Sequence, residues 1–211
     1  MCPKISAGGR LAFLAPVPIG ARIRKTSRVL AVDHKRGRAG DLVFVTVVHE
    51  LAAMSGELLV REEHDIVYKD ASPPPAGDGE GGGNAPLAAG ARSRPFAPDS
   101  TTLFRYSALT FNGHRIHYDQ DYCRNVEGYT NLVIHGPLTA TMLAGFADEA
   151  SGRHLREFSY RGLRPALLGE ALTLVAEFTG DGATLTARLA SGAPSMRAEA
   201  HFASSRTAGC A

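Results

Sequence analysis

Two short blocks of this chain resemble each other and stand at equivalent places in its two halves. LAPVPIG at 14–20 and LRPALLG at 163–169 each form a Pro-containing kink closed by Gly, and three strand-like runs follow each. Two copies are too few for a solenoid, so the pattern predicts a duplicated domain. After the first kink, residues 21–32 alternate Arg22, Arg24, Thr26 and Arg28 with Ile23 and Val29, as a half-exposed strand does. Residues 42–54 (LVFVTVVHELAAM) are apolar on both faces, as in a central strand, and 57–68 (ELLVREEHDIVY) follow as a hairpin partner. After the second kink, residues 172–178, 184–190 and 196–202 alternate in the same way.

Between the halves lies PPPAGDGEGGGNAPLAAGARSRPFAP, residues 73–98. It has no apolar periodicity to offset the entropy of ordering, so it reads as a flexible Pro/Gly linker. Three segments are therefore expected: an N-terminal repeat over 1–72, the linker over 73–98, and a C-terminal repeat over 99–211. The C-terminal repeat carries a helix ahead of its strands. Gly136–Ser151 places Leu138, Met142, Gly145 and Phe146 at helical spacing, with Pro137 in the first turn and Gly152 at the stop. A helix followed by an antiparallel meander implies an α+β fold with the sheet curled around that helix. The N-terminal repeat has only about ten residues ahead of Leu11, so it is expected to lack its helix, with sequence upstream of Met1 expected to encode one in frame.

Composition narrows the functional classes. A net charge of +2 with scattered Lys and Arg does not suggest nucleic acid. The local basicity of Arg22, Arg24, Lys25, Arg28, Lys35, Arg36 and Arg38 reads as a solvated strand face rather than a docking site for a phosphate. Cys2, Cys123 and Cys210 form neither a disulfide framework nor a Cys-x-x-Cys site, which favours a reducing compartment. No apolar run is long enough to span a membrane, and no membrane association is expected. Residues 1–27 are basic and poor in acids but lead straight into a strand pattern, so the expected location is the cytoplasm.

Chemistry concentrates in FNGHRIHYD, residues 111–119, followed by HGPL at 135–138. The first block offers Asn112 and His117, five apart on what reads as a loop. The second sets Gly136 and Pro137 at the mouth of a helix, where unpaired N–H groups can hold an anion. A proton-handling group beside an oxyanion-binding group suits chemistry next to a carbonyl. A metal site on His114, His117, His135 and Asp119 is the chemical rival, but the spacing matches no standard zinc pattern.

These residues resemble a known family. TFNGHRIH is similar to the hydratase motif of the MaoC-like (R)-specific enoyl-thioester hydratases, and His135-Gly-Pro-Leu resembles the start of their central helix. The likeness is to the double-hot-dog branch of hydroxyacyl-thioester dehydratases and mesaconyl-, itaconyl- and methylfumaryl-CoA hydratases. Arg161-Gly-Leu-Arg-Pro165 also looks like that branch. Asn112 stands where the broader family has aspartate.

The resemblance implies a duplicated hot-dog fold and reversible hydration of an enoyl thioester, carried by CoA or a carrier protein. His117 is the acid/base, Asn112 holds the water, and the Gly136 N–H receives the developing charge. His135, Arg161 and Arg164 are the expected substrate-binding residues, the arginines as cations for a second carboxylate. His114 and Arg115 are expected to brace the loop. No metal or other cofactor is expected. A homodimer of double hot-dogs is the expected assembly, with the mitochondrial matrix as the location in a eukaryote. The alternatives are a hot-dog thioesterase, disfavoured because only Asp148 and Glu149 lie on the helix and near its far end, and a non-catalytic acyl-thioester binding protein.

Overall fold

The computed structural model describes residues 4–37, 40–69 and 87–203. Nine strands form one antiparallel sheet: β1 (Lys4–Phe13), β2 (Ile23–Gly37), β3 (Gly40–Ala53), β4 (Leu58–Lys69), β5 (Arg92–Phe96), β6 (Leu155–Gly162), β7 (Leu172–Thr179), β8 (Gly182–Leu189) and β9 (Pro194–Phe202). Their order is β2-β3-β4-β1-β6-β9-β8-β7-β5. Read outward from the β1–β6 seam, β1-β4-β3-β2 repeats β6-β9-β8-β7. Each kink occupies the same place in its copy, between β1 and β2 and between β6 and β7. This is the hot-dog arrangement, duplicated.

The seam explains a glycine pair. Gly8 pairs with Arg161, and a Cβ on Gly8 would stand 2.6 Å from the Tyr160 carbonyl oxygen. One on Gly9 would meet the Tyr160 ring at 2.8 Å. At Gly8 the obstacle is backbone, so no side chain fits at that point of the seam.

All helices among the described residues fall between β5 and β6: α1 (Ser100–Thr110), α2 (Gln120–Tyr122) and α3 (Gly136–Ser151), with single 3-10 and π turns at Arg115–His117 and Cys123–Glu127. The expected central helix is α3, with Pro137 in its first turn and Gly152 ending it at φ 66°. Its buried face is Leu138, Thr139, Ala140, Leu143, Phe146 and Ala147. That face packs on Leu172, Leu174, Leu185 and Met196 of the C-terminal strands, all essentially without solvent contact.

The N-terminal strands carry no helix of their own among the described residues, and their exposure follows from this. Ile23 and Val29, expected to be buried, are 40% and 60% exposed on the edge strand β2. Between β1, β4, β6 and α3 a trough of about 870 Å³ remains, walled by Leu11, Phe13, Val60, Phe158, Ala140 and Ala144.

Two expectations need correction. The segment read as linker does not run to residue 98: Arg92–Phe96 is β5, paired with β7, and Phe96 is buried. Residues 73–86 of that segment lie outside the described residues. The stretch after it is also helical. Asp99 caps α1 by accepting from the Thr102 N–H at 2.7 Å, although 100–110 carries little apolar periodicity. The region read as a loop, 112–125, is a series of single helical turns.

Candidate active site

The site is assembled by a strand-like segment threaded between two others. Leu132, Val133 and Ile134 are buried, and the Val133 N–H donates to the Ile116 carbonyl at 2.9 Å. On the other side, the Ile134 N–H donates to Ala166 and the Leu168 N–H to Leu132, both at 2.8 Å. The segment therefore delivers His135 and the start of α3 to a fixed position beside the 3-10 turn that ends in His117.

His117 is 7% exposed, and its Nδ1 lies 2.7 Å from the Val133 carbonyl oxygen. A carbonyl only accepts, so Nδ1 carries the proton and Nε2 carries the lone pair. Burial pushes the His117 pKa down to about 4, against the Val133 carbonyl, which raises it; His114 adds to the lowering. The ring is thus a neutral base at neutral pH, with its tautomer set by the backbone.

Beneath it lies His135, stacked with ring centroids 3.6 Å apart and planes 17° from parallel. His135 has no solvent exposure; its Nε2 meets the Ser107 Oγ at 2.8 Å, and its Nδ1 has no hydrogen-bond partner among the described residues. An unpaired nitrogen is less costly as a bare lone pair than as a buried N–H, which favours the Nε2–H tautomer donating to Ser107. Burial first, then His117 and His114, push its pKa down to about 3. The Tyr106 ring packs edge-on against it at 4.9 Å. His135, expected to touch substrate, is instead the floor beneath His117, because its whole surface is covered.

Asn112 closes α1. Its N–H donates to Ser107 at 2.9 Å, and its Oδ1 accepts from the His114 N–H at 3.2 Å. One Oδ1 lone pair and the Nδ2 group have no hydrogen bond among the described residues. Gly136 is half-buried in the first turn of α3, whose N–H groups have no intrahelical acceptors. Arg115 pairs with Asp119 at 2.6 Å and covers the Tyr122 ring, while His114 lies 3.8 Å from Glu127. Among the described residues no group of three or more His, Cys, Asp or Glu is placed to hold a metal ion. Stacked rings, with Nδ1 of one and Nε2 of the other already engaged, do not converge on a point.

Arg161 and Arg164 do not line the trough. Phe158 and Tyr160 line the trough, so strand alternation turns Arg161 to the opposite face, where it is exposed beside Gly8 and Arg197. Arg164 is bound through its backbone, donating to and accepting from Ser195. Arg156 also lies on the trough wall, at the bulge where β6 shifts register against β9 between Leu155 and Glu157, so alternation alone does not reveal it. Ser107 and Tyr106 were also missed. Their only sequence signal is the Asp99 cap that starts their helix.

Known proteins resemble this chain in sequence and in fold. Residues 4–168 match the family model described as hydroxyacyl-thioester dehydratase type 2. The chain is 38% identical over 196 residues to the mesaconyl-C(4)-CoA hydratase of Chloroflexus aurantiacus, covering 92% of this chain and 69% of that protein. It is 35% identical over 89 residues to the mitochondrial hydroxyacyl-thioester dehydratase type 2 of Schizosaccharomyces pombe, covering 41% of this chain and 30% of that one. Among solved structures, HtdX of Mycobacterium tuberculosis superposes with a TM-score of 0.74 at 17% identity, over 95% of this chain and 77% of that one. A second Mycobacterium tuberculosis protein, described as having a double hot-dog fold, gives 0.61 at 14% identity, over 93% and 74%. No helix among the described residues is long and apolar enough to cross a membrane. The chain belongs to the hydroxyacyl-thioester dehydratase type 2 family of MaoC-like hydratases and dehydratases, a family of hydro-lyases.

Proposed function

We propose that the chain adds water reversibly across the double bond of a 2-enoyl thioester, with His117 as the single acid/base. The observation that carries this is a buried, neutral imidazole, with Nδ1 tied to Val133 and Nε2 without a hydrogen bond among the described residues, beside the open N-terminus of α3. In the hydration direction, Asn112 holds a water through its remaining amide capacity. The water oxygen bonds to the β-carbon as its proton passes to His117 Nε2. The double-bond electrons move to the thioester oxygen, where the Gly136 N–H stabilises the developing charge. His117 then returns a proton to the α-carbon, and the 3-hydroxyacyl thioester leaves. Dehydration is the reverse.

The trough supplies a place for the acyl chain. It follows α3 from Pro137 to Asp148, a rise of about 16 Å for a helix, more than a four-carbon acyl group requires. Arg156 on its wall is the cation available to a second carboxylate, in place of Arg161 and Arg164. Thioester hydrolysis is the weaker reading. Asp148 Oδ1 accepts from the Leu155 N–H, and Glu149 is paired with Arg94, so neither carboxylate is offered to the start of the helix.

The test is loss of enoyl absorbance with crotonyl-CoA, mesaconyl-CoA and a longer enoyl-CoA. His117→Ala should lower turnover by about 10²–10⁴-fold. Turnover that survives this substitution refutes the mechanism. Acyl-CoA binding without any turnover favours a non-catalytic binding protein, and free CoA release from a saturated acyl-CoA favours a thioesterase.

A further inference from the structure

Phe111 is the only non-glycine residue among those described whose backbone is left-handed, at φ 54°. The conformation is held from several sides. The Phe111 and Asn112 N–H groups close α1 on Ala108 and Ser107, Asn112 Oδ1 accepts from His114, and the Tyr118 hydroxyl donates to the Gly113 carbonyl at 2.9 Å. A bulky side chain is disfavoured in this region, and glycine would close the helix with less strain. The ring gains nothing in compensation, because it is 100% exposed. Strain and an unburied aromatic ring together make Phe111 a poor choice for the free protein. Its backbone neighbour is Asn112, with Cα atoms about 3.8 Å apart, so the ring is attached one residue from the amide proposed to hold the water.

We propose that Phe111 is a substrate-contacting residue whose ring covers the bound acyl thioester where it crosses Asn112 and His117. This rests on the hydratase reading of the same site. The ligand brings the apolar contact that the ring lacks, and the fixed backbone delivers the ring without further ordering. Phe104, seven residues earlier and 61% exposed on α1, stands two turns from the site and takes no part.

Three variants test the proposal. Phe111→Gly and Phe111→Ala should each raise the KM for crotonyl-CoA about tenfold, equivalent to about 1.4 kcal/mol, with a much smaller change in kcat. Phe111→Gly relieves the backbone, so its Tm should equal or exceed that of the wild type. Phe104→Ala should leave KM unchanged. An unchanged KM in both Phe111 variants overturns the proposal. So does a lowered Tm in Phe111→Gly with kcat and KM falling together, which would mark a structural role. An equal effect of Phe104→Ala accompanied by a shift in oligomeric state overturns it in favour of a protein partner on α1. Calorimetric titration with crotonyl-CoA separates the two readings. Binding that weakens in the Phe111 variants while the wild type shows no turnover keeps the contact and removes the hydratase assignment. Normal wild-type turnover with unaltered Phe111 variants does the opposite.

Discussion

Replacing His135 with asparagine should about halve the acid sensitivity of folding. In the folded protein both stacked rings are neutral, with pKa values pushed from 6.5 down to about 4 for His117 and about 3 for His135. A group whose folded pKa is depressed in this way contributes fully above its unfolded pKa. Its contribution is lost as pH falls from 6.5 toward the folded value, because the unfolded chain takes up the proton first. At about 1.4 kcal/mol per pKa unit, each ring removes about 2–3 kcal/mol between pH 6.5 and about 4.5. Together the two rings remove about 5 kcal/mol, a large part of the 5–15 kcal/mol typical of a folded domain.

Asparagine at position 135 leaves an amide able to bond Ser107 and removes one titration. The variant should therefore lose only about 2–3 kcal/mol over the same interval, whatever its stability at neutral pH. The assay is urea denaturation followed by circular dichroism at several pH values, since the chain has no tryptophan to report by fluorescence. His49, also held below its usual range by burial, is common to both proteins and cancels. Glu63 and Asp65, whose carboxyls are lowered by their bonds to Arg10, respond below this window. Equal slopes for the two proteins would refute the claim that His135 is held neutral, and a flat wild-type curve would refute it for both rings.

The pH dependence of turnover follows from the same ring. Because His117 must be unprotonated to accept a proton from water or from the α-carbon, kcat/KM should be level across neutral pH and fall only as pH drops through about 4. An inflection near 6.5 in the initial-rate profile contradicts this. At the seam, Gly8→Ala would press a methyl group into the Tyr160 carbonyl at 2.6 Å, a backbone atom that cannot turn aside. The expected loss is about 1–3 kcal/mol, measured by the same urea titration. Wild-type stability in that variant would mean that β1 and β6 do not approach each other this closely at Gly8.

Much of the fold was readable wherever local chemistry and tertiary demand agree. Pro137 and Gly152 mark α3 because the termini of a helix require such residues whatever it packs on, and β7–β9 alternate because one face is buried. The missed elements are those whose sequence answers to a neighbour. Two adjacent glycines carry no strand signal, yet Gly8 and Gly9 lie inside β1, where Tyr160 of another strand fills the space. Pro95 argues against a strand, but β5 is the sheet's edge, where a missing N–H is tolerated. α1 has an ordinary cap but buries only Leu103 and Ser107, turning Phe104 and Leu109 outward.

That last omission bears directly on the site. From the sequence, three histidines in a short stretch could be a metal cluster or one base with two supports. The choice depends on Ser107, twenty-eight residues from His135 and on a helix without a periodic signature. Ser107 bonds His135 from below, burial holds that ring neutral, and stacking at 3.6 Å then disfavours a proton on either ring while the other is charged. The same stack turns the rings face to face, so they cannot share a metal. His117 keeps an Nε2 unengaged among the described residues, with Nδ1 tied to the backbone. α1 therefore does more than fill space before the FNGHRIHYD block: through Ser107 it sets the imidazoles apart, and its left-handed last step, Phe111, leads directly into Asn112.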